Sequence, residues 1–186
     1  MYGESIPLLE TAIPQWCVDQ LVNWGQSVGM ESFRDDSREG AWTVMLGGKV
    51  LVIDVDFVIQ RENPLKPILK VANVKTSNAL LATTGSTSST SAPLDAFLAE
   101  SISRYCAEMQ QEEEFRNPLR AASLRKSVLQ HLRYLVLLDR LAYRKDDGGI
   151  RWFTDLDEFC PTMAAVAKAE AEIVASYVTF CLFVSM

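Results

Sequence analysis

The chain has 186 residues, enough for one or two domains and for a single core of ordinary size. At 48% hydrophobic and 23% charged residues it excludes wholesale disorder, because disordered chains hold too little apolar surface to offset the entropy lost on folding. A net charge of −6 with a pI near 4.9 argues against direct nucleic-acid binding, which needs clustered Lys and Arg to displace counterions from phosphates. The four cysteines, Cys17, Cys106, Cys160 and Cys181, are far apart, with no Cys-x-x-Cys pair and no secretory leader at the N-terminus, so reduced intracellular thiols are expected.

From Ile13 to Met30, the residues Ile13, Trp16, Cys17, Leu21, Trp24 and Val28 recur at spacings that trace one helical stripe. Pro14 suits the first turn, where a missing N–H costs nothing, and Gly29 is the expected stop. The polar run Arg34 to Gly40 then leads into a segment of period two. AWTVML, Gly47-Gly48 and KVLVIDVDFVI read as a hairpin over residues 41–59, turned by two glycines in left-handed conformations. Pairing outward from that turn sets Val44 opposite Leu51 and Trp42 opposite Ile53. The core face then carries Trp42, Val44, Leu51, Ile53, Val55 and Phe57, and the opposite face Thr43, Met45, Val50, Val52, Asp54 and Asp56. After the proline-containing loop RENPLKP, residues 68–75 are expected to return as a third antiparallel strand.

Residues 76–92, rich in Ser, Thr and Gly, read as a flexible loop that buries almost nothing. From Pro93 the period is helical, with Ser91 as the expected cap and Leu94, Phe97, Leu98, Ile102, Tyr105, Cys106 and Met109 on the apolar stripe. Asn117-Pro118 restarts a helix that carries Leu124, Val128, Leu132, Leu135, Leu138 and Leu141 and is expected to end at Asp146-Asp147-Gly148-Gly149. A last helix is expected to begin near Pro161. Ile173 to Met186 is an apolar tail with no polar face, shorter than the roughly 18 residues of a membrane span. Such a tail is expected to continue into a longer chain or to lie buried against a partner. The whole reads as one α+β domain over 1–186: an N-terminal helix, a small antiparallel meander, then two or three long helices packed on it.

Few residues offer chemistry. Asp54 and Asp56 share a strand face about 7 Å apart, a separation at which two carboxylates could share a metal, although a hard cation wants more oxygens and a solvated face explains both residues. His131 is the only histidine, and it sits inside the long helix, so a dyad with Cys106 or Cys160 would have to be assembled by the fold. No glycine motif for nucleotide phosphates is present, and no cofactor is expected. Leu129, Val136 and Leu137 lie off the main stripe of the long helix and are candidate partner-binding positions.

Several stretches together resemble the N-terminal domain of Mediator subunit 1, chiefly in its fungal members. LVNWGQSVGMESFRDD followed by WTVMLGGKVLVIDVDF is similar to the family's helix and its Leu-x-Ile-Ala-Gly-x-x-x-x-Ile-Asp-Ile-Asp-Phe strand pair. SAPLDAFLAESI with LRKSVLQHLRYLVLLDRLA is similar to the family helices that close on Leu-Glu-Arg-Leu-Ala-x-Leu-Asp-Lys-Leu. These stretches run over roughly residues 15 to 145, and 161–186 departs from the pattern. The resemblance implies a non-catalytic subunit of the middle module of the Mediator coactivator complex, in the nucleus. It also implies contacts with subunits 4 and 9 and a link between transcription regulators and RNA polymerase II. LRYLV and LDRLA each lack the final leucine of a receptor-binding Leu-x-x-Leu-Leu box. Two rival readings are an α+β adaptor of another intracellular complex and a metal-dependent enzyme using Asp54 and Asp56.

Overall fold

The computed structural model describes residues 9–79, 90–143 and 152–184, except the side chains of 154, 157 and 175–184. After a short 3-10 turn, α1 (Ile13–Ser27) leads into a four-stranded antiparallel meander of β1 (Glu31–Arg38), β2 (Ala41–Gly47), β3 (Leu51–Gln60) and β4 (Ile68–Asn78), in the order β1-β2-β3-β4. Three helices follow: α2 (Ala92–Met109), α3 (Pro118–Ala142) and α4 (Trp152–Val184). The α+β architecture is the one the periodicities predict.

α1 ends as its glycine predicts. Gly29 has φ +89°, the Met30 N–H donates to the Gly25 carbonyl and the Gly29 N–H to that of Gln26, so the last turn's carbonyls are paired. Its buried side, with Cys17, Val18, Leu21 and Trp24, meets Val44 and Leu46 of β2, Leu51, Ile53, Val55 and Phe57 of β3, and the stripes of α2 and α3 in one core. Trp24 packs edge-on against Tyr105 of α2 with ring centroids 4.8 Å apart, joining the two helices over the sheet.

The hairpin has the predicted faces and a different register. Val44 pairs with Val55 and Trp42 with Phe57, not with Leu51 and Ile53, so each partner lies four residues further along and the turn is centred on Lys49-Val50, two residues beyond Gly47-Gly48. A shift of four preserves the period-two alternation, which is why the buried set survives the error. Gly47 and Gly48 do not adopt positive φ. Gly48 is needed for a close approach instead: a Cβ there would stand 2.5 Å from Oδ2 of Asp139. That carboxylate, on α3 and 1% exposed, accepts from the backbone N–H groups of Lys49 (2.6 Å), Val50 (2.9 Å) and Leu51 (2.8 Å). It satisfies the amides of the displaced turn, and so selects that register. Val50, expected on the open face, is drawn inward by this turn and buried.

β1 was not foreseen, because its only large apolar residue, Phe33, points to solvent and its burial shows no alternating core face. Pairing with β2 makes it a strand, and Arg34 holds it to α1 through Asp19 (2.9 Å) and the side-chain oxygen of Gln15 (2.8 Å). The guanidinium also lies over the Trp42 ring at 4.8 Å. β4 runs on to Asn78, so Thr76 and Asn78, expected in the flexible loop, are buried in the sheet, and Ser91 at the far end of that loop is buried too. Residues 80–89 of the loop lie outside the described residues. Ser91 occupies the N-cap position of α2 without a side-chain capping bond, whereas Asn117 caps α3 by accepting from the N–H groups of Leu119 and Arg120.

α3 ends at Ala142, with Tyr143 as its C-cap, and the expected stop at 146–149 lies outside the described residues. α4 begins at Trp152 rather than at Pro161, which falls inside the helix. Burial of Trp152 and Phe153 against the core gains about 1.5–3 kcal/mol for each side chain, enough to carry an interior proline that costs about 3 kcal/mol. Removing the Asp139 carboxylate with Asp139→Ala should destabilise the domain by about 3 kcal/mol in urea unfolding, because three N–H groups, two of them buried, lose their acceptor. Gly48→Ala should cost about 1–3 kcal/mol alone and much less in the Asp139→Ala background. Additive losses would mean that the two residues are not coupled.

Candidate functional site

The sequence singles out two carboxylates, one histidine, the cysteines and three residues of α3, and the fold sends these to separate places. Asp54 and Asp56 lie on the sheet face away from the core, as the alternation predicts. Phe33, Met45, Asp54 and Lys75 stand in one cross-strand row, and Asp35, Thr43, Asp56 and Asn73 in the next. Asp56 accepts from the Thr43 hydroxyl at 2.7 Å. Oδ1 of Asp54 is buried with no hydrogen-bond partner. That burial, reinforced by the charge of Asp56 and opposed by Lys75, raises the Asp54 pKa above the ordinary carboxylate value. Among the described residues, no group of three or more His, Cys, Asp or Glu side chains stands ready to hold a metal ion.

His131 packs against the ring of Phe97 with centroids 4.6 Å apart, and partial burial lowers its pKa. Cys106 faces another cysteine: a hydrogen bond with Cys106 and then burial push the Cys17 thiol well above its usual pKa, which disfavours the nucleophilic thiolate. Cys160 is half-exposed on α4.

The three candidate interface residues of α3 divide. Leu137 is 53% exposed and faces outward, Leu129 is half-buried against the core, and Val136 is 7% exposed and belongs to the core. Val136 therefore does not present an outward surface. The stripe of α3 is wider than the sequence pattern implies, because α2 and the β2–β3 turn both cover the helix, so a position off the main line is still enclosed.

Two further surfaces emerge only in three dimensions. A cleft of about 470 Å³ runs between the outer edge of β4 and α2, with Ile13, Pro67, Ile68, Val71, Cys106 and Ala107 among its walls. The strand edge beside it is already engaged. Gln110 accepts from the Leu69 N–H (2.5 Å) and donates to its carbonyl (3.0 Å), while Asp95 accepts from both the N–H and the hydroxyl of Thr76 at 2.6 Å. Side chains of α2 thus occupy backbone groups that an edge strand would otherwise offer to another chain.

The second surface is α4. Every residue from Pro161 to Val174 is exposed, among them Met163 at 66%, Val166 at 49%, Ile173 at 55% and Val174 at 61%, with Phe159 at 62% just before them. These large apolar side chains lie in water at helical spacing. The expected tail at 173–186 is part of this helix as far as Val184. Among the described residues, no helix is long and apolar enough to cross a membrane.

No protein-family model matches the chain, and neither does any curated protein or solved structure.

Because Asp54 holds its proton more tightly when folded than when unfolded, its ionisation opposes folding. The contribution is absent below the unfolded carboxylate pKa and grows as pH rises through the folded value. Asp54→Asn should therefore stabilise the domain at pH 7, by about 0.5 kcal/mol at so open a site, and leave it unchanged at pH 3. Urea midpoints at the two pH values measure this, and an equal shift at both would place the effect elsewhere than in the charge.

Proposed function

We propose that the chain is a non-catalytic binding module of a multiprotein assembly. The observation that carries this reading is α4, a helix of 33 residues that buries Trp152 and Phe153 in the domain and leaves large apolar side chains uncovered beyond them. A second apolar position, Leu137, is exposed on α3. In this reading the rigid α+β body positions these helices, and binding energy comes from a few apolar anchors within a polar rim.

The assembly we propose is the Mediator coactivator complex, with the chain as a subunit-1-type component of its middle module in the nucleus, linking transcription regulators to RNA polymerase II. The support is the likeness of LVNWGQSVGMESFRDD, WTVMLGGKVLVIDVDF and LRKSVLQHLRYLVLLDRLA to that family's helix, strand pair and long helices. Those stretches form α1 with β1, the β2–β3 hairpin and α3 of one domain. The partners proposed are subunits 4 and 9.

The purified chain, mixed with a co-expressed pair of subunits 4 and 9, should elute with them at the summed mass in size-exclusion chromatography with light scattering. Leu137→Glu should weaken that complex while leaving the circular dichroism and unfolding midpoint of the chain in place. Separate elution of folded components would remove the Mediator assignment and leave an adaptor of another assembly as the reading to pursue.

A further inference from the structure

The apolar residues of α4 follow a stricter rule than exposure alone. Trp152, Leu156, Phe159, Met163, Val166, Glu170, Ile173, Tyr177, Phe180 and Val184 succeed one another at alternating steps of four and three through the whole helix. This is the 3.5-residue period of a coiled-coil seam, which an isolated surface helix with a 3.6-residue stripe does not need. The seam begins inside the domain, where Trp152 is 7% exposed and Leu156 packs against the core, and it leaves the domain at Phe159. The line of side chains that α4 uses to dock on its own core therefore continues into solvent with the same geometry. Pro161 and Lys168 fall on the side farthest from the seam, and small residues flank it at Thr162, Ala167 and Ala169.

The charge pattern selects the occupant. One seam position is polar, Glu170, and it lies midway between Leu156 and Val184. A second copy of α4 has no cation to offer it, since its lysine is turned away from the seam. In-register parallel pairing would set Glu170 against Glu170, and antiparallel pairing would enclose it among apolar residues. The helix is also acidic along its length, with Asp155, Asp157, Glu158, Glu170 and Glu172 against Lys168, in a chain of net charge −6.

We propose that the exposed seam of α4 is a coiled-coil docking strip for a helix of another protein, one with apolar residues at the matching 3.5-residue period and a Lys or Arg level with Glu170. This rests on reading the chain as a binding module and is independent of which assembly it joins. Apolar layers supply the affinity, and the Glu170 layer sets register and partner choice, as a single polar residue does in a coiled-coil core.

The test uses the full chain and two synthetic heptad peptides of the length of the Leu156-to-Val184 segment, with Ile and Leu in the seam and Lys at the flanking positions. They differ at the central seam residue, Lys in one and Glu in the other. In a parallel pair the central residue lies level with Glu170, and in an antiparallel pair it lies in the adjoining layer. By light scattering the chain alone should be a monomer and should form a one-to-one complex with the Lys peptide. By fluorescence anisotropy the Lys peptide should bind about tenfold more tightly than the Glu peptide. E170K should reverse that order, and the double variant M163D/V166D should lose both peptides while its unfolding midpoint stays near that of the parent, since neither side chain touches the core. Equal binding of the two peptides would overturn the proposal, as would a stable dimer of the chain alone. Sedimentation with phosphatidylcholine vesicles in place of peptide binding would assign the strip to a lipid surface instead. Because no Mediator subunit is present, this result stands apart from the co-elution experiment. A seam that binds the Lys peptide in a chain that ignores subunits 4 and 9 would retain the docking strip and discard only the assembly.

Discussion

The arrangement of this domain depends on one buried carboxylate. Asp139 stands near the end of α3 and binds three successive backbone N–H groups in the β2–β3 connection. A carboxylate sealed from water is costly unless its oxygens are hydrogen-bonded, and unpaired amides in the same place are costly too. Each therefore compensates the other, and neither the turn nor the helix end can move without exposing the partner's deficit. The contact fixes the position of the turn, sets the register of β2 on β3, and pins α3 across the sheet in the position that lets α1 and α2 close the core.

The same logic recurs wherever a helix meets the sheet's periphery. Arg34 ties the polar strand β1 to Asp19 and Gln15 of α1, and Gln110 and Asp95 of α2 take up edge groups of β4. Glu108, 2% exposed, accepts from the Asn117 N–H and pairs with Arg120, which holds the α2–α3 connection. Of these, the contacts of Gln110 and Asp95 occupy backbone groups of Leu69 and Thr76 at the β4 edge with the domain's own side chains. On the open sheet face Phe33 and Met45 are cross-strand neighbours and Val58 stands apart, among Asp54, Asp56 and Lys75, as is ordinary for a half-solvated sheet.

α4 differs from the other three helices in where its apolar residues go. α1, α2 and α3 spend their stripes inside the domain except at Phe97 of α2, which is 48% exposed, whereas α4 leaves its positions from Phe159 to Ile173 outside while keeping the spacing of a seam. That geometry is the support for the binding role proposed above. Cys106 is matched with Cys17 and His131 with Phe97, while Cys160 is half-exposed on α4.

The sequence by itself determined what depends on local period and local chemistry. The helical stripe of α1, its stop at Gly29, the caps before Pro93 and Pro118, the two faces of the hairpin and the α+β order were all legible, because side-chain period and backbone preference act within a few residues. Tertiary structure decided whatever depends on a partner distant in the chain. The strand character of β1 comes from pairing and from Arg34, not from its own pattern. The hairpin register comes from an aspartate about 90 residues away, and only the alternation of side chains concealed that dependence. Thr76 joins the sheet, Val136 joins the core, and α4 starts at Trp152, because burial against other elements outweighs the composition of a loop, the line of a stripe and the preference of a proline. The seam of α4 could be read in the sequence as a strict 3.5-residue period running through Pro161. Only the three-dimensional arrangement showed that its first layers are occupied and that those from Phe159 to Ile173 are open.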